Sequence, residues 1–486
     1  MKRAFGTLLM LLVLPCIAVP SARASDQAAR PPILDVLAHV PGGNTSGGEV
    51  REKAPRADGY YHIDTPASIA RLKAMHANNY NYLIWNSPSD WDDLRLELLP
   101  AAQKAGINIW VYLVPPTESI QKKSFPFTTD YVRWAAELAK LSLKYPVLQA
   151  WVLDDFTANP KFFNPEYVGK MQDAAHAINP KLRFFPVLQL TSLTDDWAKA
   201  YGPVIDGVVA PFLDLPYLET QRTILFNQQV TGAATALKPS GKPLYLLAYV
   251  GRHLRSPLEP SPEYVKELFA LCFQAMHDGR LAGVVSYGTP MEDYPGQTES
   301  NTALDGAARL SLSFAPVAVK AGEWAQASQT ITVRPGRPMY MLSFWHTDRW
   351  GRSEVANRIE KEVLLDDTVV WHQGANDDPA ATWMEGGALE GPVDVTAQLK
   401  GKKTAKLTLR IRSVSAFHSD GLDVGFDRLA GEGFTITDPG FETGAGWTLS
   451  DSGQALMAAI VRHDTDLHKK VFQTVSEEFA KYSRRR

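Results

Sequence analysis

From residue 33 to about 290 the chain alternates short apolar runs with longer stretches of helical period. The runs lie at 33–39, 80–86, 107–114, 148–154, 183–189, 205–210, 243–250 and 281–287, rich in Val, Ile, Leu, Tyr and Phe. Their apolarity is near-continuous rather than alternating, the pattern of strands covered on both faces. Helical stretches separate them at 66–78, 91–104, 130–144, 165–178, 219–237 and 261–278, with a short one starting at Asp195. Asp64-Thr65 offers an N-cap to the first, and Gly106 a C-cap to the second. Eight such strand–helix units over roughly 250 residues predict an α/β TIM (β/α)8 barrel. A doubly wound open sheet is the competing arrangement. Against it, the Gly-rich turn at 41–48 opens a long loop rather than a helix, so no dinucleotide fingerprint follows the first strand.

Past residue 300 the helical period fades. Segments at 330–333, 339–345, 362–371, 393–395, 405–413 and 421–429, with turn signals such as Pro335-Gly336, Asp366-Asp367 and Gly401-Lys402, predict an all-β jelly-roll or sandwich domain. The final stretch is charged and helix-compatible, with Leu456, Ile460, Val471 and Phe472 on one rough stripe. The expected division is a 1–24 leader, a 25–305 barrel, a 306–453 sandwich and a 454–486 helical tail.

The leader changes the charge and the cysteine count. Lys2 and Arg3 precede an apolar stretch at 4–19, and Ala22-Arg23-Ala24 supplies a small-x-small cleavage pattern, so export with cleavage after Ala24 to a secreted or periplasmic location is expected. No second long apolar run predicts membrane insertion. Removing Lys2, Arg3 and Arg23 takes the formal charge from −3 to −6. That balance argues against nucleic acid as a partner. Cys16 leaves with the leader, and Cys272, in an apolar helical pattern, reads as a core residue rather than a nucleophile.

In a barrel of this kind the chemistry sits in the loops after the strands. Those positions hold Trp85 and Asn86, Tyr112 and Glu118, Asp154 and Asp155, Gln189, Asp214, Tyr249 with Arg252 and His253, and Tyr287 with Glu292. The Asp154-Asp155 pair directly follows an apolar strand. Two close carboxylates repel, so one can keep its proton near neutral pH, as a general acid requires. Cleaving a glycosidic bond needs a second carboxylate across it, and Asp214 is the first choice, with Glu118 and Glu292 in reserve. Trp85, Tyr112, Tyr249 and Tyr287 offer faces for sugar rings. A polysaccharide or oligosaccharide is thus the expected partner, and no cofactor or metal is called for.

The layout resembles the barrel glycoside hydrolase superfamily and, more narrowly, is similar to the endo-α-1,4-polygalactosaminidase and spherulin-4-like families. That resemblance covers roughly residues 33–300. It implies that an acid or acidic pair ends the fourth strand, here Asp154-Asp155, and that a second acid follows the sixth. Where those families more usually carry Glu at the second place, this chain has Asp214. Residues 363–371 and Asp438-Pro439-Gly440-Phe441-Glu442 with Trp447 look like accessory carbohydrate-binding jelly rolls. Two other functions compete. One is a sugar-binding protein without catalysis. The other is a metal-dependent deacetylase, which the absence of any H-x-x-x-H pair disfavours.

Overall fold

The computed structural model describes residues 50–483 apart from 86, 119–123, 215–219, 221, 252–258, 292–305, 315–317, 350–357, 376, 378–386, 420–421, 454–455 and 463–465. The leader, the turn at 41–48 and the strand expected at 33–39 lie outside the described residues, as do Asn86, Arg252, His253 and Glu292.

Seven parallel strands follow one another through the first half: β1 (Asn79–Ile84), β2 (Asn108–Leu113), β3 (Leu148–Leu153), β4 (Arg183–Pro186), β5 (Val208–Phe212), β6 (Leu244–Tyr249) and β7 (Gly283–Tyr287). β1 to β4 pair in chain order, as do β5 to β7. A parallel bridge between Val187 and Val209 links the two groups. Helices flank the strands, and five of them start on a side-chain cap. Asp64, Asp130, Asn164, Thr194 and Ser261 all accept a backbone N–H of the following first turn. The helix expected at 219–237 is described at Phe226–Leu237.

The strands bury both faces, in two separate clusters. Trp110, Tyr112, Ala150, Val152, Phe185, Val187, Val209, Tyr245, Leu247 and Val285 fill the inside. Their neighbours Val111, Trp151, Leu153, Phe184, Ala210, Phe212, Leu246 and Val284 face the surrounding helices. This strict alternation explains the unbroken apolar runs: every second residue enters one of two hydrophobic compartments. Below the mouth, Trp110 packs 5.1 Å from Tyr245, and Phe185 5.2 Å from Tyr245, so the interior is a plugged core rather than a pore.

The second half is a sandwich of two antiparallel sheets. One orders Thr368–Gly374, Ile359–Leu365, Thr404–Ser413, Trp324–Val333 and Phe434–Thr435, with Thr448–Asp451 also on Trp324–Val333; the other orders Ala388–Asp394, Met341–Arg349, Leu422–Glu432, Ala308–Phe314 and Leu456–Arg462. The segment at 362–371 is a hairpin that turns at the expected Asp366-Asp367 signal. Asp366 and Asp367 both have positive φ, +46° and +67°, and so form its two-residue turn.

The expected 454–486 helical tail is corrected in two ways. Its first part is the strand Leu456–Arg462, which pairs with Ala308–Phe314 and places Arg462 opposite Ala308. The sandwich therefore begins and ends at one point. Its second part, the helix Leu467–Ser483, returns to the first half, which is barrel-like but shows no pairing between β1 and β7 among the described residues, and buries Val471, Val475, Phe479 and Ala480. Phe479 lies 5.3 Å from Phe269 of the helix Pro262–His277. On the other side Ser476 donates to the Ala74 carbonyl, and the Arg71 guanidinium lies 3.8 Å over Phe472. Arg71 also donates to the carbonyl of Met291, where the chain leaves the barrel. The helix thus fills the gap between the first and last described barrel helices, and the sandwich is an insertion between β7 and its helix.

Candidate active site

A cleft of about 360 Å³, counting its open mouth, lies at the C-terminal ends of the strands and is lined by Tyr112, Asp154, Asp155, Thr157, Val187, Leu188, Gln189, Pro211, Leu247, Tyr249 and Tyr287. Strand parity accounts for most of that wall. Asp154 continues the inward series Ala150, Val152; Tyr112 follows Trp110; Tyr249 follows Tyr245 and Leu247; Tyr287 follows Val285. The Asp154 N–H still donates to Leu113, so the residue is held in strand geometry at the point where the sheet stops.

Asp155 falls on the outward parity, yet it lines the cleft. It sits at φ +40°, in the left-handed region, and its N–H donates to Asp154 Oδ1 at 2.8 Å. The turn that follows is pinned by Asn159 Nδ2, which donates to the Asp155 carbonyl. A non-glycine residue in this conformation costs of order 1 kcal/mol or more, and such strain concentrates at functional sites.

The Asp154 carboxyl is half-buried, and burial raises it to about 7, reinforced by the negative charge of Asp155 and more weakly by that of Glu118. Hydrogen bonds from the Tyr112 hydroxyl and the Asp155 N–H favour the carboxylate but do not outweigh burial. Burial also holds the Tyr112 hydroxyl far above its ordinary value, so Tyr112 stays a donor. An Asp155→Asn exchange removes the nearest charge. It is expected to move the titration of Asp154 to lower pH, read as a carboxyl signal by NMR.

Tyr249 and Tyr287 meet edge to face at 4.8 Å, and Tyr287 lies 6.5 Å from Tyr112. Their approach depends on two glycines. A Cβ on Gly251 would stand 2.5 Å from the Gly288 carbonyl oxygen, and Gly288 itself has φ +73°. Val250 and Gly251 both donate to the Tyr287 carbonyl, closing the two strand ends together. A Gly251→Ala exchange is expected to splay these ends and lower activity about 10- to 100-fold. The far-UV circular dichroism should be unchanged, and the near-UV tyrosine signal altered.

Asp214 is the principal correction. Val209 and Pro211 point inward and Ala210 and Phe212 outward, so Asp214 falls on the outward series. It is 1% exposed. Its Oδ1 accepts the Leu225 N–H at 3.2 Å, and its Oδ2 faces Arg222 Nε at 3.3 Å. It braces the chain ahead of the helix Phe226–Leu237 and is not among the residues lining the cleft. Trp85 also lies outside that wall. It packs against the inner core, with its N–H on Asp90 and its carbonyl accepting from Ser124. Glu118 reaches the site through its charge on Asp154, and Gln189 lines the cleft as expected. Leu247 escaped the sequence reading, although its inward parity between Tyr245 and Tyr249 marks it.

Among the described residues His62, Asp93 and Glu97 bring ligand-type atoms together. Those atoms are already engaged. His62 Nδ1 is 2.6 Å from Asp93 and Nε2 2.9 Å from Asp58, while Glu97 pairs with Arg56 at 2.6 Å. The cluster ties the segment ahead of the helix Thr65–Ala74 to the one behind it.

No protein-family model and no curated protein matches the chain. Among solved structures, it is similar to a glucosidase from Croceicoccus marinus, at 9% identity and TM-score 0.38, over 77% of this chain and 96% of that one. It is similar to β-glucuronidase 2 of Bacteroides uniformis, at 9% identity and TM-score 0.43, over 79% and 64%. It is also similar to an endo-β-1,4-glucanase of Xanthomonas axonopodis pv. citri, at 12% identity and TM-score 0.35, over 51% and 87%.

Proposed function

We propose that the protein hydrolyses a glycosidic bond in a polysaccharide, with Asp154 as the general acid. One observation carries this reading. An inward-facing carboxyl at the end of β3, raised to about 7, opens into a cleft walled by three tyrosines. A carboxyl that keeps its proton near neutral pH can give it to the leaving oxygen as the bond to the anomeric carbon breaks. Tyr112 orients that carboxyl, while Tyr249 and Tyr287 offer apolar ring surface to the sugar. Water adds to the anomeric carbon and releases its proton to a second carboxylate. Asp155 and Glu118 are the acids whose charges reach Asp154, so they replace Asp214 as candidates for that base.

The test is release of reducing ends from a panel of polysaccharides by wild type and by Asp155→Asn, Glu118→Gln and Asp214→Asn. A fall of about 10²–10⁴ is expected for the base, and less than tenfold for Asp214→Asn with a lower Tm. A wild type that binds oligosaccharides yet frees no reducing ends supports instead a sugar-binding protein.

A further inference from the structure

The end of β2 and the loop after it reach the Asp154 carboxyl by two routes. The first is direct, since the Tyr112 hydroxyl donates to it. The second is a line of hydrogen bonds. The Asp155 N–H donates to Asp154 Oδ1 at 2.8 Å, and Asn159 Nδ2 donates to the Asp155 carbonyl at 3.3 Å. The same Nδ2 donates to Thr117 Oγ1 at 3.4 Å. Thr117 belongs to the turn 115–118, which the Glu118 N–H closes on the Pro115 carbonyl at 3.0 Å. The ends of β2 and β3 are thereby joined in a ring that starts and finishes at Asp154.

Asn159 closes this ring, and its residue type follows from the position. One amide nitrogen carries two diverging N–H donors, so it can serve an acceptor on each of two loops. Ser or Thr would offer a single donor, and an ionised Asp would offer none while adding a further charge beside Asp155. The backbone of Asn159 is anchored in the core. Its N–H donates to the Phe156 carbonyl, and its own carbonyl accepts from Phe162 and Phe163. The Phe156 and Phe163 rings stack 5.0 Å apart within the helix-facing cluster. Asn159 is 9% exposed, so its amide is a fixed point between two turns.

We propose that Asn159 is a positioning residue of the site. It holds the Asp155 turn, in its left-handed conformation, to the Thr117 turn, and so fixes the direction in which Asp154 faces the cleft. The inference rests on the reading of Asp154 as general acid. It extends the site to two side chains, Asn159 and Thr117, that lie outside the wall of the cleft. A small error in the direction of the acid costs rate without loosening the sugar, because binding and proton transfer are made by different groups.

The experiment uses the full chain with Thr117→Val, Thr117→Ser, Asn159→Leu, and Thr117→Val combined with Asn159→Leu. Val matches Thr in shape without the hydroxyl, and Thr117 is exposed, so folding is not at stake there. On a glycan that wild type cleaves, Thr117→Val should lower kcat about 3- to 10-fold and Asn159→Leu about 10- to 100-fold, with KM within about twofold in both. Thr117→Ser restores the hydroxyl and with it the wild-type kcat. The double exchange should be no slower than Asn159→Leu alone, because the bond between the two residues is already gone. In the two-dimensional amide NMR spectrum, Thr117→Val and Asn159→Leu should both shift the Asp155 signal, and Thr117→Ser should leave it in place. A wild-type kcat or an unmoved Asp155 amide in Thr117→Val overturns the inference. If wild type cleaves no glycan, the hydrolase reading fails, and the Asp155 amide alone decides the ring.

Discussion

Asp154→Asn is expected to be nearly inactive and yet more stable than the wild type. Asn keeps the shape and the acceptor oxygen for the Asp155 N–H and the Tyr112 hydroxyl, but it has no proton to give. The loss should be about 10²–10⁴ in kcat. The gain follows from linkage. Folding lifts this carboxyl from an ordinary aspartate value to about 7, so its contribution to stability is fully present below about pH 4 and is lost as pH rises through 7. That loss is at most about 4 kcal/mol, and the open side of the cleft reduces it. Asn avoids it, so Tm of the variant should exceed wild type by about 2–6 °C at pH 8 and by nothing at pH 3.5. In wild type, kcat/KM should fall as pH rises through about 7, since the acid must be protonated. A variant destabilised at pH 8, or a rate that climbs through neutrality, would refute the assignment.

Removal of the helix Leu467–Ser483 is expected to unfold the barrel rather than trim it. Val471, Val475 and Phe479 are each at most 7% exposed, and burying such side chains is worth roughly 1.5–3 kcal/mol apiece. Their sum is comparable with the whole stability of a domain, about 5–15 kcal/mol. A chain ending at Arg462 should be insoluble or bind hydrophobic dyes, and Phe479→Ala alone should cost about 3 kcal/mol. Differential scanning calorimetry on the point variant and solubility of the truncation check both. A truncated chain with the wild-type Tm would show that the helix is an ornament.

Much of the barrel was legible because its strands are buried twice over, and that leaves unbroken apolar runs. The Asp154-Asp155 pair was legible for the same reason: an acid following Trp151-Val152-Leu153 cannot stay in either compartment and must emerge at the mouth. Asp214 misled because rank along the chain is not direction. Counted by twos from Val209 and Pro211, it faces outward, and its partners Leu225 and Arg222 lie beyond the strand. The closing helix was hidden by distance. Val471, Val475 and Phe479 recur at four-residue spacing, but nothing local says that the surface they cover lies on the helices at 65–74 and 262–277. The two glycines at 251 and 288 matter only as a pair, and that pairing exists only after the barrel has formed.

The insertion has a consequence for synthesis. Ser476 bonds to Ala74 across some four hundred residues, so the barrel's last helix leaves the ribosome long after its first. At about 5–20 residues per second, the stretch between β7 and that helix takes on the order of ten to thirty seconds to emerge. Throughout that interval the nascent barrel has an open seam beside Phe269, and the sandwich is completed only at its end, because its last strand, Leu456–Arg462, pairs with its first and directly precedes the helix. Until the helix emerges, the apolar faces of the helices Thr65–Ala74 and Pro262–His277 that it covers stay open to water. Completion of translation, rather than any local signal, is what closes the seam.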